Sequence, residues 1–214
     1  MIVVDFVSTE QEYGSHVRQR HWRRLGHCPL CGEADCLIGH GYYLRKPKGM
    51  IFRKDSGTVR IKRWLCKLCR RTISMLPDFL LTFRQYVVRV IQAVIEARWG
   101  CGRSWAELEA ECAEAGAPAR RTMQRWCGSF AEQASRWLEA VQATLAQQDS
   151  GSPWLDPHGE ALKAEGPAQS LLGGSEHLLA WGKTRWAEAG GYGRNDRLRF
   201  LWLWSSGRGL GRLV

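Results

Sequence analysis

The stretch HCPLCGEADC, residues 27–36, contains three cysteines within ten residues. A second stretch, RWLCKLCRRT at residues 63–72, contains another two, so that each stretch carries one Cys-x2-Cys pair. Two residues between the cysteines allow both thiolates to reach one ion, and a shell of four thiolates is typical of structural zinc. The sequence therefore predicts one structural Zn²⁺ whose ligands are Cys28, Cys31, Cys66 and Cys69.

The 34 residues between the two pairs have the composition of a β-hairpin. Residues 37–46 and 58–66 are rich in β-branched and aromatic residues, and the segment between them contains Pro and Gly. A third short strand is predicted at residues 72–76. Together with the cysteine pairs, this pattern predicts a zinc ribbon over residues 25–77.

Several other thiols and imidazoles lie near or beyond these pairs. Cys36 and His40 are expected to be a spare thiol and an ordinary strand residue, because four cysteines already saturate one zinc ion. The alternative is that either of them is a ligand. Cys101, Cys112 and Cys127 have no partner at the x2 spacing and are expected to be ordinary buried thiols.

Positive charge is concentrated around the cysteines. Residues 1–75 contain 15 Lys and Arg against 6 Asp and Glu, whereas residues 76–214 contain 16 against 15. A one-sided basic module is expected of a protein that binds phosphates, although a solvated face would have the same composition. No apolar run approaches the roughly 18 residues that span a bilayer, and the N-terminus does not resemble a signal peptide. We therefore expect a cytoplasmic protein with reduced thiols and no membrane partner.

After the ribbon the hydrophobic period changes to that of helices. Apolar residues with a 3.6-residue period predict a helix over residues 83–99, and Ser104 and Glu107 form a capping box that opens a second helix, closed by Gly116. A third helix is predicted from Pro118 to about Gln148. Its inward stripe comprises Met123, Trp126, Cys127, Phe130, Ala134, Trp137, Leu138, Val141 and Leu145. The later part of this stripe would pack either on a second copy, as a dimer seam, or on the C-terminal residues.

The start of the third helix presents polar side chains opposite its apolar stripe. A helix, a short turn and a basic second helix form a helix-turn-helix pattern, whose second helix enters the major groove. Arg and Gln both make bidentate contacts with base edges. The predicted base-contacting residues are Arg120, Arg121, Gln124 and Arg125.

The remainder of the chain is predicted to be a linker followed by short helices. Residues 147–159 are rich in Ser, Gly and Pro, and helices are expected at residues 167–172, 175–188 and 196–205. We predict a mainly α chain with a small β zinc ribbon, an α+β fold. Its divisions are an N-terminal arm (1–24), the ribbon (25–77), a helix-turn-helix domain (78–148), and a linker with a helical cap (149–214).

The segments CPLCG, GHGYYLRK and IKRWLCKLCRRTISMLPDFLL resemble the N-terminal zinc ribbon of bacterial insertion-sequence transposases. The chain is also similar to a bacterial family of short, uncharacterised proteins with a ribbon and a helical region. The resemblance implies the same four zinc ligands and a role in DNA-end recognition or regulation. A transposase of that type continues into an RNase H-like domain with an acidic triad. We expect no such domain here, so no catalytic residue and no enzymatic activity are predicted.

Together, these patterns predict a zinc-stabilised protein that binds double-stranded DNA, either as part of a mobile element or as a regulator, and that is associated with the bacterial nucleoid. Its predicted phosphate contacts are Arg45, Lys46, Arg60, Lys62, Arg63, Arg70 and Arg71. A homodimer and a transposition or transcription partner are further expectations. Alternatives are an adaptor that docks on a larger complex, a metal-dependent nuclease or recombinase using His40 and Cys36, and an RNA-binding protein.

Overall fold

A four-stranded sheet forms the centre of the N-terminal part of the chain in the computed structural model. The structure describes residues 2–5, 13, 25–49, 58–112, 117–155, 165–206, 208, 210 and 213–214. It divides the chain into two units, residues 1–87 and residues 88–214. The described residues combine this sheet with five α-helices, which confirms the predicted α+β class.

Three strands of the sheet are those that the sequence predicts. They are β2 (Leu37–Arg45), β3 (Val59–Cys66) and β4 (Thr72–Pro77), and neighbouring strands are antiparallel. The fourth, β1 (Ile2–Asp5), pairs in parallel with β4 and gives the order β1-β4-β3-β2. Residues 2–5 belong to the predicted N-terminal arm, for which no strand was predicted. The run of one isoleucine and two valines at residues 2–4 was the sequence signal that could have indicated this strand.

Strands β2 and β3 bring the two cysteine pairs to one end of the sheet. Leu37 lies opposite Cys66 in the β2–β3 register, and the register shifts between Gly39 and Tyr42. Gly41 adopts a φ of 71° within this irregularity, a left-handed conformation that favours glycine. Strand β2, which follows the first cysteine pair, therefore begins beside the end of strand β3, which leads into the second pair.

The helix predicted over residues 83–99 begins later, so this prediction was wrong at its N-terminal end. Residues up to Val87 are tied to the sheet unit, because Lys48 donates its N–H to the Gln85 carbonyl (2.6 Å) and accepts from the Val87 N–H (3.1 Å). Helix α1 is Val88–Ile95, and one π-helical turn, Glu96–Gly100, follows it.

The next two helices begin close to their predicted positions. Helix α2 is Trp105–Glu111, and its capping box is present, with Ser104 N–H donating to Glu107 (2.7 Å) and Glu107 N–H to the Ser104 hydroxyl (3.3 Å). Helix α3 is Arg120–Gln148. Pro118 precedes α3 instead of lying in its first turn, because Ala119 is extended with a ψ of 148°. Gly116 lies outside the described residues.

The apolar stripe of α3 is covered within the chain. Helix α4 (Pro167–Arg185) packs along it, and Trp137, Val141 and Leu145 are fully buried. Most of the predicted stripe is buried with them, and Leu138 is half-buried. Of the two alternatives for this stripe, packing on the C-terminal residues is therefore the one observed.

Helix α4 is continuous where two helices, 167–172 and 175–188, were predicted. Gly173 and Gly174 do not interrupt it. The Trp154 ring packs so closely against them that a Cβ on Gly173 would be 2.7 Å from a ring atom, which leaves room only for glycine. Trp154 belongs to the composition-predicted linker, yet it is buried in a short 3-10 turn, Pro153–Leu155. Helix α5 is Arg197–Ser205, close to its prediction. None of the described helices has the length and apolar character needed to cross a membrane.

Candidate metal centre and nucleic-acid interface

Tight backbone turns position the two cysteine pairs. In the first turn, the Cys28 N–H donates to the Glu33 carbonyl (2.8 Å) and Gly32 adopts a φ of 79°. In the second, the Cys66 N–H donates to the Arg71 carbonyl (3.1 Å), and Arg70 has a φ of 56°. A positive φ is costly for a residue other than glycine, so the surrounding hydrogen bonds hold Arg70 in place.

The thiols of the two pairs converge on one point. Cys28 Sγ lies 3.9 Å from Cys69 Sγ, and Cys31 Sγ lies 3.7 Å from Cys66 Sγ. Metal–sulfur bonds of about 2.3 Å in a tetrahedral shell imply sulfur–sulfur separations of about 3.8 Å. The observed separations match that value, so these residues fit a single metal ion.

Backbone N–H groups also point at the sulfurs, as in the short turns of cysteine-ligated metal sites. Leu30 N–H donates to Cys28 Sγ, and Cys69 N–H donates to Cys66 Sγ, each at 3.4 Å. Such hydrogen bonds stabilise the thiolate form, which is the form that binds metal. The turn geometry therefore prepares the first cysteine of each pair for coordination.

Cys36, expected to be a spare thiol, lies inside the cluster. Its Sγ is 3.4 Å from Cys66 Sγ, and the thiols of Cys28, Cys31, Cys36 and Cys66 all lie within 4.8 Å of one another. These four cysteines could hold a metal ion, and Cys69 is adjacent to them. Five thiols thus surround a centre for which the sequence predicted four.

The protonation preferences of these thiols differ from that of an isolated buried cysteine. Burial opposes ionisation of Cys66, but the Cys69 N–H and the thiols of Cys36 and Cys69 lower its pKa to about 6. For Cys28, burial is likewise outweighed by the N–H groups of Leu30 and Cys31, and the pKa is lowered. In Cys127, burial raises the pKa to about 11. At Cys69 the Arg71 N–H is outweighed by burial and by the neighbouring thiols, which raise the pKa to about 11, and the pKa of Cys31 and Cys36 is also raised. Thiolate formation is therefore favoured at Cys28 and Cys66, the first cysteine of each pair.

Neither histidine near the cluster belongs to it. His27 and His40 are both exposed, His40 within β2. In the parts of the chain that the structure describes, the cysteine group is the one cluster of His, Cys, Asp and Glu that could hold a metal. The alternative in which His40 acts as a ligand therefore gains no geometric support.

A row of aromatic and cationic side chains lies on one face of β2 and β3. Arg60 and Lys62 each lie 4.5 Å from the Tyr42 ring centre, and Lys62 also lies 4.8 Å from the Trp64 ring. Alternate residues of β3 share a face, and Lys62 is directly opposite Tyr42. Sequence reasoning named the two cations but missed the rings, although the Arg-x-Lys-x-Trp alternation was the signal.

The other predicted phosphate contacts are placed differently. Arg45 is directed inward, where its guanidinium donates to the carbonyls of Leu81 (3.3 Å) and Arg84, and burial lowers its pKa. It therefore ties β2 to the segment that follows β4. Lys46, Arg70 and Arg71 are exposed, and Arg63 is half-buried, one position out of phase with Arg60 and Lys62 on β3.

The polar residues at the start of α3 are exposed, as predicted. Arg120, Arg121, Gln124 and Arg125 all lie on the solvent side of the helix, opposite the buried stripe. Arg120 Nη1 lies 3.2 Å from Glu109 Oε2 on α2, which offsets part of its charge. Helix α2 ends at Glu111 and α3 begins at Arg120, so more residues separate the two helices than the 3–4 of the turn typical of the motif; of these residues the structure describes 112 and 117–119.

A family model described as a domain of unknown function (DUF6431) matches residues 28–126. This range begins at the first cysteine of the cluster and contains all five clustered thiols and the exposed start of α3. No curated protein matches the chain, and no solved structure matches it.

Proposed function

We propose that the chain is a zinc-stabilised DNA-binding protein of the mobile-element, transposase-like, or regulatory type. The observation that carries the proposal is the exposed cluster of Arg121, Gln124 and Arg125 at the start of α3, on a helix whose opposite face is anchored in a core. These residue types, on one exposed helix face, match the side chains that read base edges in the major groove.

Zinc is the metal that the thiol arrangement favours. Thiolates are soft ligands that select zinc, copper(I) or iron–sulfur clusters in proteins. The sulfur–sulfur separations of 3.7 and 3.9 Å correspond to one tetrahedral ion, because a cluster with bridging sulfides would hold its cysteines farther apart. A closed shell of four thiolates leaves no open position for substrate, which supports a structural and not a catalytic role.

The ribbon would supply phosphate contacts. Lys46, Arg70 and Arg71 are exposed, and Arg60 and Lys62 line the face that carries Tyr42. Phosphate contacts position a protein on a duplex without reading its sequence. Arg45 is removed from this set, since its guanidinium is engaged with backbone carbonyls.

The test measures duplex affinity across salt concentrations, using a target selected from a random pool. Affinity should fall steeply between about 50 and 200 mM salt, because neutralised phosphates release counterions. The double variant Arg121→Ala/Arg125→Ala should lose about 1–3 kcal/mol of discrimination per base contact. Arg70→Ala/Arg71→Ala should weaken all sequences alike and reduce the salt slope by about 2.

Two further variants make this test selective. Lys183→Ala removes one exposed positive charge from the last turn of α4 and should leave binding unchanged. Glu109→Gln frees Arg120 of its ion-pair partner and should raise affinity. A flat salt response, or equal losses in the α3 double variant and in Lys183→Ala, contradicts DNA binding through α3.

A second candidate is an adaptor that docks on a larger transposition or transcription complex. It is favoured by large apolar side chains on the sheet unit, where Leu44, Leu68 and Phe83 are 66%, 62% and 74% exposed. Leu68 lies between the two cysteines of the second pair. An adaptor would show no affinity for naked duplex and would lose its partner on Leu68→Ser, whereas the DNA-binding function would survive that change.

A further inference from the structure

Five thiols occupy a centre in which one ion needs four. Cys28, Cys31, Cys36 and Cys66 lie within 4.8 Å of one another, and Cys69 Sγ is 3.9 Å from Cys28 Sγ. Zinc shells made of cysteines close at four ligands. One of the five thiols must therefore be outside the shell at any moment.

The backbone holds Cys36 at its place beside the second pair. The Lys67 N–H donates to the Cys36 carbonyl (2.9 Å), and the next residue, Leu37, lies opposite Cys66 in the sheet. The side chain is buried, with its Sγ 3.4 Å from Cys66 Sγ. Its thiol donates to the Glu33 carbonyl (3.2 Å), a bond that a change of side-chain rotamer can break. Cys36 is thus fixed within reach of the centre.

Cys69 lies at the edge of the cluster, outside the group of four thiols that are all within 4.8 Å of one another. It is half-buried, whereas Cys28 and Cys66 are buried and Cys31 is exposed. The backbone N–H of Cys69 donates to Cys66 Sγ. Its own thiol lies at the end of the turn, where the next residue, Arg70, has a positive φ. Either Cys36 or Cys69 can complete a shell with the three cysteines common to both sets.

We propose that Cys36 and Cys69 are alternative fourth ligands of one ion, whose constant ligands are Cys28, Cys31 and Cys66. This inference rests on the proposed metal centre and names how its ligand shell behaves. In the exchange, the metal–sulfur bond to Cys69 breaks and one to Cys36 forms. The proton of the Cys36 thiol passes through solvent to the departing Cys69 thiolate, so that the shell keeps four thiolates.

The test compares metal binding in Cys36→Ser, Cys69→Ser, the double variant and Cys101→Ser, which replaces an exposed cysteine outside the cluster. Zinc per chain is measured directly, and Co²⁺ substitution reports the number of thiolate ligands through its visible absorption. Each single variant should keep one ion per chain and a four-thiolate spectrum. The double variant should give a three-thiolate spectrum and at least about 100-fold weaker binding, since even outer partners of a ligand contribute about 10–100-fold.

The single variants decide the matter even if the double variant fails to fold. If Cys69→Ser alone gives a three-thiolate spectrum, Cys36 is not a ligand. If Cys36→Ser alone does so, Cys69 is not a ligand, and either result overturns the exchange. This metal-binding test uses no DNA. If both single variants give four-thiolate spectra but the protein binds no duplex in a separate assay, only the proposed DNA-binding function is refuted. Wild-type protein without tightly bound metal refutes the centre itself.

Discussion

The two units differ in what occupies their interiors. At one end of the sheet unit, the buried cluster consists of Cys28, Cys36, Cys66, Leu37 and Ile73, so that three of its five members are thiols. The helical unit is built around large aromatic side chains, among them Phe130, Trp137 and Phe200, all almost fully buried. The rest of the sheet unit has its own apolar core, with Ile61, Leu76 and Phe79 almost fully buried. A cysteine-lined end with few other apolar side chains depends on a metal or disulfide for stability, whereas a helical bundle with several buried aromatic rings does not. We therefore expect the cysteine end of the sheet unit to depend on its ion and the helical unit on its packing.

The largest expected effect is that of metal removal. Structural zinc contributes about 10–16 kcal/mol to the folding of small zinc domains, so chelation should open the cysteine end of the sheet. Hydrogen exchange should accelerate by at least about 100-fold, about 3 kcal/mol, at the amides of residues 27–39 and 63–73, while α3 and α4 stay protected. Cys101→Ser is the control, because this exposed thiol lies outside the cluster. Equal loss of protection in both units would contradict the comparison.

The next largest effect is expected at an ion network around the buried Arg197 in the helical unit. Arg197 Nε lies 2.8 Å from Glu96 Oε1, and Arg197 Nη1 lies 3.1 Å from Glu176 Oε2, with the Arg197 side chain only 10% exposed. The Gln92 side chain accepts from the Leu198 N–H (2.9 Å) and so joins α1 to α5 beside this network.

Arg197→Met should lower the free energy of unfolding of the helical unit by about 2–4 kcal/mol, because it leaves the partly buried Glu96 carboxylate without its cationic partner. Denaturant unfolding followed by the helical circular dichroism signal measures this. Arg103→Met breaks ion pairs at a side chain that is 49% exposed and should cost less than about 1 kcal/mol. Similar losses in both variants would show that burial does not decide the strength of these pairs.

Packing around α4 predicts a smaller effect. A Cβ at Gly182 would overlap the Phe200 ring, which packs against α4 at that position. Gly182→Ala should therefore destabilise the helical unit by about 1–3 kcal/mol, the usual cost of overpacking. Thermal unfolding monitored by circular dichroism gives the measurement, and the metal content should stay at the wild-type value. Unchanged stability would mean that Phe200 finds another rotamer without loss.

The same contrast explains which features the sequence predicted. Strands β2, β3 and β4 and the inward stripe of α3 were predictable because their periods are local properties of the chain. The convergence of Cys28, Cys31, Cys66 and Cys69 followed from spacing alone. What could not be predicted depends on tertiary contact. Cys36 joins the cluster through strand register, and helix α4 continues through Gly173, against which Trp154 packs.

The surroundings of the cationic side chains were predicted less well than the strands and helices, for a related reason. A cation is recognised in sequence, but whether it faces a partner or a backbone carbonyl is decided by the fold. Arg45 and Lys46 are neighbours in sequence, yet the first donates to the Leu81 carbonyl and the second is exposed. The helix-turn-helix assignment, the zinc identity and the predicted domain divisions stay predictions.

The smallest expected effect concerns Gly128 and has the opposite sign to that at Gly182. Gly128 is exposed in the interior of α3, and a Cβ there would meet nothing within 4 Å. Alanine is about 0.8–1.0 kcal/mol more favourable than glycine in a helix interior, so Gly128→Ala should stabilise the helical unit by about 0.5–1 kcal/mol. Thermal unfolding beside Gly182→Ala measures both signs in one experiment.

Gly128 also lies one and two turns beyond Arg125 and Arg121 on the same face of α3, so the variant's duplex affinity reports how closely DNA approaches there. If Gly128→Ala is instead less stable than the wild type, α3 needs a bend at this residue. The exposed start of α3 and its buried stripe would then be coupled more closely than the packing indicates.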